Sequence, residues 1–145
     1  MQTLTRSNTN TITGTLFIQL GSFAFPEVGW NDALVRVLTV WCQSCLLFGT
    51  GAKTVEFLFQ DGSFGWDTRP GMPVSGVECY SWNSTRRIVR AGNVDLNEVQ
   101  DQVILAARQI WNACARNGWS SPDVTQLEGA WRQAVAHVAT TSRGS

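Results

Sequence analysis

The chain has no surplus of either charge, because its 145 residues include 11 lysines and arginines and 11 aspartates and glutamates. Binding to nucleic-acid phosphates or to an anionic membrane requires a basic surplus, so we predict neither partner. No run approaches the roughly 18 apolar residues of a membrane helix. The start, M-Q-T-L-T-R-S-N-T-N-T, lacks the apolar stretch of a signal peptide. We therefore expect a cytoplasmic protein whose four cysteines are reduced.

Residue patterns suited to catalysis or metal binding are equally scarce. His137 is the single histidine of the chain, and its place on an amphipathic segment favours a packing role. Zinc sites need about four ligands, whereas Cys79, Cys114 and His137 lie singly on separate predicted elements. Neither a G-x-G-x-x-G nor a P-loop pattern occurs. We predict no enzyme activity, no cofactor and no metal.

The stretch W-C-Q-S-C, Trp41 to Cys45, is the one motif that resembles a redox centre. A dithiol active site needs its first cysteine at a helix N-terminus, where the helix dipole lowers the thiol pKa. Helical spacing instead places Cys42 about ten residues into a helix. We interpret Cys42 and Cys45 as small apolar side chains of a buried helix face; a small thiol redox enzyme using them is the less favoured alternative.

The sequence is rich in core-forming residues, with 43% hydrophobic residues, seven tryptophans and seven phenylalanines. Its patterns predict one α+β domain over 12–139, flanked by flexible ends at 1–11 and 140–145. An antiparallel sheet of four to five strands packs against one N-terminal and two C-terminal helices. The predicted strands are 12–20 (extended by 23–25), 55–60, 64–67, 77–82 and 85–90, and the predicted helices are 33–48, 96–116 and 122–139.

Local signals fix several of these boundaries. Asp61-Gly62 predicts a hairpin turn, and Asn117-Gly118 predicts a helix end. Asp95, followed three residues later by a glutamate, is a candidate N-cap, as is Ser121 before a proline. For the first helix, Asn31 or Asp32 is the expected cap, although its β-branched start leaves a buried strand open as an alternative.

We predict that the protein works by binding another protein. Tryptophans near strand ends or in turns are candidate interface anchors, since large rigid rings dominate binding hot spots. The pairs Asp61 with Asp67 and Glu56 with Glu78 are predicted cross-strand neighbours, which we interpret as a solvated sheet edge and not as catalytic carboxylates. A mixed-charge rim is predicted around the sheet, formed by Asp61, Asp67 and Glu78 with Arg69, Arg86, Arg87 and Arg90. The predicted partner-binding residues are Asp61, Trp66, Asp67, Glu78, Trp82 and Trp119.

One part of the chain resembles a known group of proteins. The stretch F-A-F-P-E-V-G-W-N-D, the helix with Trp41 that follows, and E-F-L-F-Q-D-G-S-F are similar to small bacterial immunity proteins of polymorphic-toxin and contact-dependent inhibition systems. The similarity covers about Phe23 to Asp67 and, more weakly, the long helix after Asp95. The chain departs from the group at Ala33, where an aromatic residue is expected, and in having the single Trp41 where a pair is expected. In that group these residues form a turn, a helix and a hairpin, so Phe25, Pro26, Trp30 and Asp32 are expected to be scaffold.

The resemblance implies a cytoplasmic protein that binds a cognate toxin domain and blocks its action. For a nuclease toxin, acidic side chains reaching into the basic substrate groove are the expected electrostatic solution. A generic adaptor or secretion-chaperone module is the alternative, because it shares every feature except the partner's identity.

Overall fold

A computed structural model describes residues 5–6, 12–71 and 74–143 of the chain. Within these ranges the fold is α+β, as predicted, with antiparallel sheets, one helix in the N-terminal half and two at the C-terminal end. The elements in chain order are β1 Thr5–Arg6, β2 Ile12–Thr15, β3 Ile18–Leu20, β4 Phe23–Phe25, β5 Asn31–Asp32, α1 Leu34–Cys45, β6 Val55–Leu58, β7 Phe64–Arg69, β8 Ser75–Asn83, β9 Thr85–Val94, α2 Leu96–Arg116 and α3 Pro122–Arg143.

The largest sheet is a four-stranded antiparallel meander with strand order β6-β7-β8-β9. This confirms the predicted meander and the hairpin at Asp61-Gly62, where Gly62 has a positive φ of 71°. The last two strands are longer than predicted and pair from Ser75–Val94 to Asn83–Thr85. Cys79 pairs with Arg90 and Tyr80 with Ile88, so Val89 is the extra residue of a β-bulge.

The predicted strand over 12–20 is instead two short strands. β2 pairs with β1 and β5, whereas β3 pairs with β4. Leu16 still donates its N–H to the Trp30 carbonyl oxygen, at 2.7 Å. The chain therefore changes strand partners at Phe17. The alternation of apolar and polar residues runs on through this position, which is why the sequence predicted a single strand.

Helix α1 lies between the sheet and the other two helices, contacting β6 on one side and α2 and α3 on the other. Eight of its twelve residues are buried, and the exposed ones, Arg36, Val40 and Gln43, form a single stripe along the helix. A wide buried face of this kind is typical of a helix that packs on several neighbours. This explains why its β-branched, apolar start resembled a strand. Trp41 packs edge-on against Phe57 and Trp66 of the sheet, with ring centroids 6.0 and 5.4 Å apart.

Helices α2 and α3 begin, and α2 ends, as the local signals predict. The Asp95 side chain accepts a hydrogen bond from the Asn97 N–H at 2.9 Å, and Ser121 Oγ accepts from the Val124 N–H at 3.3 Å. After α2, Gly118 has a φ of 68°. The N–H groups of Gly118 and Trp119 donate to the carbonyls of Ala115 and Cys114, which is a Schellman ending.

The predicted cap of α1 is wrong. The N-cap is Ala33, which provides no side-chain hydrogen bond, and Asn31–Asp32 form β5. The buried Asp32 carboxylate instead accepts four N–H donors, from the Ala33, Gln60 and Asp61 backbones and the Trp30 indole, at 2.7 to 3.2 Å. A single scaffold side chain thus joins the helix start to the β6–β7 turn.

The two predicted flexible ends differ from the structure where it describes them. Thr5–Arg6 pair with β2 as strand β1, and α3 continues to Arg143, beyond the domain end predicted at 139. The remaining residues of 1–11 and 140–145 lie outside the described ranges.

Candidate functional site: the outer face of the four-stranded sheet

The four-stranded sheet has one face covered by the core and one that we call the outer face. The inner side chains, among them Phe57 and Trp66, belong to the hydrophobic core with α1. Successive strand residues point to opposite faces. The cross-strand register therefore places the following residues on the outer face: Glu56, Leu58, Gly65, Asp67, Arg69, Glu78, Tyr80, Trp82, Arg86 and Ile88.

Three carboxylates form one row across the outer face. Glu56 pairs with Asp67, and Asp67 pairs with Glu78 on the next strand. Arg86 donates hydrogen bonds to Asp67 Oδ2 and, at 3.1 Å, to Glu78 Oε1. Arg69 also donates to Glu78. The two arginines therefore neutralise two of the three negative charges within the sheet itself.

Tyr80 lies flat across the sheet beneath Arg86. Its hydroxyl donates to Glu56 Oε2 at 3.1 Å, and Arg86 Cζ lies 4.0 Å from the ring centroid, a cation–π contact. A Cβ atom on Gly65 would come within 2.8 Å of the Tyr80 ring, so the glycine makes this position possible. Burial, followed by the charge of Glu56 and the hydrogen bond to it, raises the pKa of Tyr80. The phenol therefore stays protonated as a donor.

Exposed apolar side chains surround this polar network. Leu58, Gly65, Tyr80 and Ile88 form one row across all four strands. Leu58 and Ile88 are about half exposed, and Trp82, two residues beyond Tyr80, is 55% exposed. The outer face thus combines Trp, Tyr and Arg, the residue types enriched at binding hot spots, with large apolar contacts.

Two of the predicted partner-binding residues are not surface residues. Trp66 is 4% exposed and lies in the middle of β7 on the inner face, stacked on Phe57 with ring centroids 4.0 Å apart. It is therefore a core residue and not a loop-proximal anchor. Asp67 is on the outer face but is 0% exposed, because Arg86 covers it. Its carboxylate is bound within the sheet and cannot reach a partner's basic groove.

The other four predicted residues occupy three different places. Trp82 lies near the end of β8 as predicted, and Glu78 lies on the same face with its side chain 16% exposed. Asp61 is exposed in the β6–β7 turn, near Trp82, whose N–H donates to the Ser63 carbonyl at 2.8 Å. Trp119 is in the α2–α3 turn, partly buried against the core. The structure brings Asp67, Glu78 and Trp82 onto one face, next to Asp61.

The cysteines of W-C-Q-S-C lie on the buried side of α1, as predicted, with Cys42 inside the helix and Cys45 as its last residue. Cys42 and Cys45 are fully buried, and burial raises the pKa of Cys42 to about 12 and that of Cys45 further. The thiol, which is the unreactive form, is therefore favoured at neutral pH. His137 also has a packing position, with Nε2 lying 2.8 Å from the Phe48 carbonyl oxygen.

Over residues 5–6, 12–71 and 74–143, no three His, Cys, Asp or Glu side chains are grouped so as to hold a metal ion. None of the helices in these ranges is both long and apolar enough to cross a membrane. We compared the chain with protein-family models, characterised proteins and solved structures, and found no match in any of the three.

Leu58, Tyr80 and Ile88 of the outer face were missed at the sequence level. Glu56 pairs with Asp67 and not, as predicted, with Glu78, and the prediction placed Arg86 in the mixed-charge rim without its contact to Asp67. The hairpin at Asp61-Gly62, together with the alternation of side chains along each strand, was enough to predict some of these pairings. Once the turn is fixed, Glu56 falls opposite Asp67. The side chain of Arg86 reaches two strands away, and no local pattern predicts that contact.

Proposed function

We propose that this protein is a protein-binding module that neutralises a toxin domain in the cytoplasm, and that the outer face is its binding surface. The observation that carries the proposal is the exposure of Trp82, Leu58 and Ile88 around a network whose charges are paired within the sheet. The resemblance of residues 23–67 to immunity proteins supports the choice of partner.

The geometry of the outer face favours a specific protein partner. Tyr80 is held by Glu56 below and Arg86 above, so little side-chain freedom remains to be lost on binding. Trp82 pairs across the strands with Arg86, which places a large exposed ring beside the network. Rigid aromatic anchors of this kind provide contact area at low entropic cost.

The proposed binding mode differs from the one expected from the sequence. Acidic residues reaching a nuclease groove would need unpaired carboxylates, but Asp67 and Glu78 are bound by Arg86 and Arg69. We propose instead that apolar contacts around Trp82 dominate, with Asp61 in the exposed turn providing an accessible charge at the edge of the surface.

The first test is co-expression with the neighbouring open reading frame of the native locus, scoring host growth and then co-purification. Rescue of growth together with a stoichiometric complex is the expected result. A harmless neighbour that does not co-purify would contradict the toxin-neutralising function.

The surface is then tested with two matched leucines. Leu58 on the outer face is 46% exposed, and Leu47 after α1 is 47% exposed. We expect Leu58→Ala to weaken the complex severalfold and Trp82→Ala to weaken it about 30-fold, as for a hot spot of about 2 kcal/mol. Leu47→Ala should leave the affinity unchanged; equal effects of the two leucine variants would place the interface elsewhere.

A further inference from the structure

A cleft of about 840 Å³ lies at the β9 end of the sheet and extends under its inner face as far as Trp66 and Val77. It is lined by residues 16–21 around β3, by residues 90–95 at the end of β9, and by α2. Its deepest residues are buried core side chains, namely Leu38, Trp41, Trp66 and Val77. The volume is within the range of about 300–1,000 Å³ typical of ligand-binding pockets.

Both strands that line the cleft have a free edge towards it. β9 is the last strand of its sheet, and β3 pairs only with β4 among the described strands. An unpaired strand edge presents a row of backbone donors and acceptors that can pair with another chain. The cleft therefore separates two strand edges of the same domain.

The opposite edge of the sheet is closed. Ser44 Oγ of α1 donates to the Glu56 carbonyl at 2.7 Å, and the Trp41 indole N–H donates to the Leu58 carbonyl at 2.8 Å. These carbonyls belong to β6, the other outermost strand. The helix thus satisfies the β6 edge with side chains, whereas the described structure shows no such cover for residues 90–94 of β9.

The charges around the cleft are arranged along β9. Arg90 lies at one end, near the Phe23 ring at 5.3 Å. Asp95 and Glu98 lie at the other end, at the start of α2. Asp95 follows Arg90 by five positions, a distance of about 17 Å at the usual rise per strand residue. Between these charges the cleft is lined by apolar side chains such as Ile18, Val99 and Val103.

We propose that this cleft binds an extended segment of a partner polypeptide, which adds a strand to the free edge of β9. The charge pattern defines the segment: about five or six residues, with alternate apolar side chains entering the cleft, an acidic residue at the Arg90 end and a basic residue at the Asp95–Glu98 end. Main-chain hydrogen bonds provide the affinity and alternate side chains the specificity. This inference does not rest on the proposed toxin-neutralising function.

The test is selection of a phage-displayed library of random 12-residue peptides against the whole protein. We expect enriched sequences with alternating apolar residues and opposite charges at the two ends. On hydrogen exchange, a synthetic copy of such a peptide should slow exchange of the amides at Ala91–Val94. Failure to enrich any peptide over an unrelated target protein would overturn the proposal, and would leave the co-expression result unaffected.

Variants that fill the cleft test whether the selected peptide binds there. Ala106 lines the cleft and Ala115 is an exposed residue of the same helix outside it. Ala106→Trp should lower the affinity of the selected peptide at least tenfold, and Ala115→Trp less than twofold.

A second cleft-filling variant keeps the proposal testable if Ala106→Trp does not fold. A Cβ atom at Gly92 would meet Val77 Cγ1 at 3.8 Å, an ordinary contact, so Gly92→Leu fills the same cleft from β9. Gly129, where a Cβ meets nothing within 4 Å, provides the control Gly129→Leu. Unchanged peptide affinity in both cleft-filling variants would overturn the proposal.

Discussion

Trp66 and Trp82 lie on neighbouring strands of one sheet, but on opposite faces. Trp66 stacks on Phe57 and is 4% exposed, whereas Trp82 is 55% exposed. The inner face is held by apolar packing against α1, and the outer face by hydrogen bonds and charge pairs among its own side chains. The comparison shows that the two faces are stabilised differently: the inner face depends on packing, whereas the outer face keeps an accessible ring, Trp82, beside side chains that are paired with one another.

The largest difference between the faces is expected from the two tryptophans themselves. Trp66→Ala removes a ring from the core and should lower the free energy of unfolding by about 3–5 kcal/mol. Trp82→Ala should change it by less than about 0.5 kcal/mol, as for an exposed position. Urea denaturation of both variants measures this. Similar losses in the two variants would show that the outer face is part of the core.

The charge network of the outer face should contribute the next largest effect. Asp67→Ala leaves Arg86 without its buried partner, and we expect the free energy of unfolding to fall by about 3 kcal/mol. Because the Arg86 side chain remains 29% exposed, water can compensate in part. Arg86→Ala should lower the free energy of unfolding more than Arg69→Ala does, because Arg69 is exposed and pairs only with Glu78. Thermal unfolding of the two arginine variants measures this difference. Equal losses of stability would contradict a central role for Asp67.

Gly65→Ala tests the position of Tyr80 on the outer face. The added methyl group would lie 2.8 Å from the Tyr80 ring and 2.9 Å from Leu58 Cδ2, so the ring must shift. Overpacking of this kind costs about 1–3 kcal/mol. The double variant Gly65→Ala with Tyr80→Leu should recover part of the loss; no recovery would mean that the methyl group is accommodated in some other way.

Alkaline pH should destabilise the fold gradually. Burial raises the pKa of Cys42 and of Cys79, each to about 12, with the charge of Asp67 adding to the effect at Cys79. The folded state therefore keeps these protons where the unfolded chain loses them, and stability falls as the pH rises above about 9. At pH 9.5 the expected loss is below about 1 kcal/mol per thiol.

Urea denaturation at pH 7.5, 8.5 and 9.5 measures this dependence. Cys79→Ala should have a shallower pH dependence than the parent protein, whatever its stability at pH 7.5. The ultraviolet absorbance of Tyr80, the only tyrosine, should show no ionised phenol before unfolding. Ionisation of Tyr80 in the folded protein near pH 10 would show that the outer face admits water to the ring.

Much of the fold could be predicted because its signals are local. Asp95, Ser121 and Gly118 mark helix ends through contacts within a few residues, and Asp61-Gly62 marks the hairpin. The split at Phe17 could not be predicted, because it depends on Trp30 and on β4 as alternative partners.

The residues of the candidate site were predicted less well than the fold. Part of the error could have been avoided from the sequence alone. Trp66 and Asp67 are consecutive residues of one strand, so they cannot belong to the same face of a sheet. Which of the two faces inwards depends on where α1 packs. That Asp67 is buried depends on Arg86, which is 19 residues away in the chain, and period-2 alternation carries no information about such a contact.

The four hydrogen bonds to Asp32 have a practical consequence for protein engineering. The turn at Gln60 and Asp61 is bound to the carboxylate, so a reporter or affinity tag inserted there would also detach the start of α1. The exposed turn at Gly51, where a Cβ atom would meet nothing within 4 Å, carries no comparable link. It is the better place to open the chain for an insertion that leaves both the outer face and the cleft accessible.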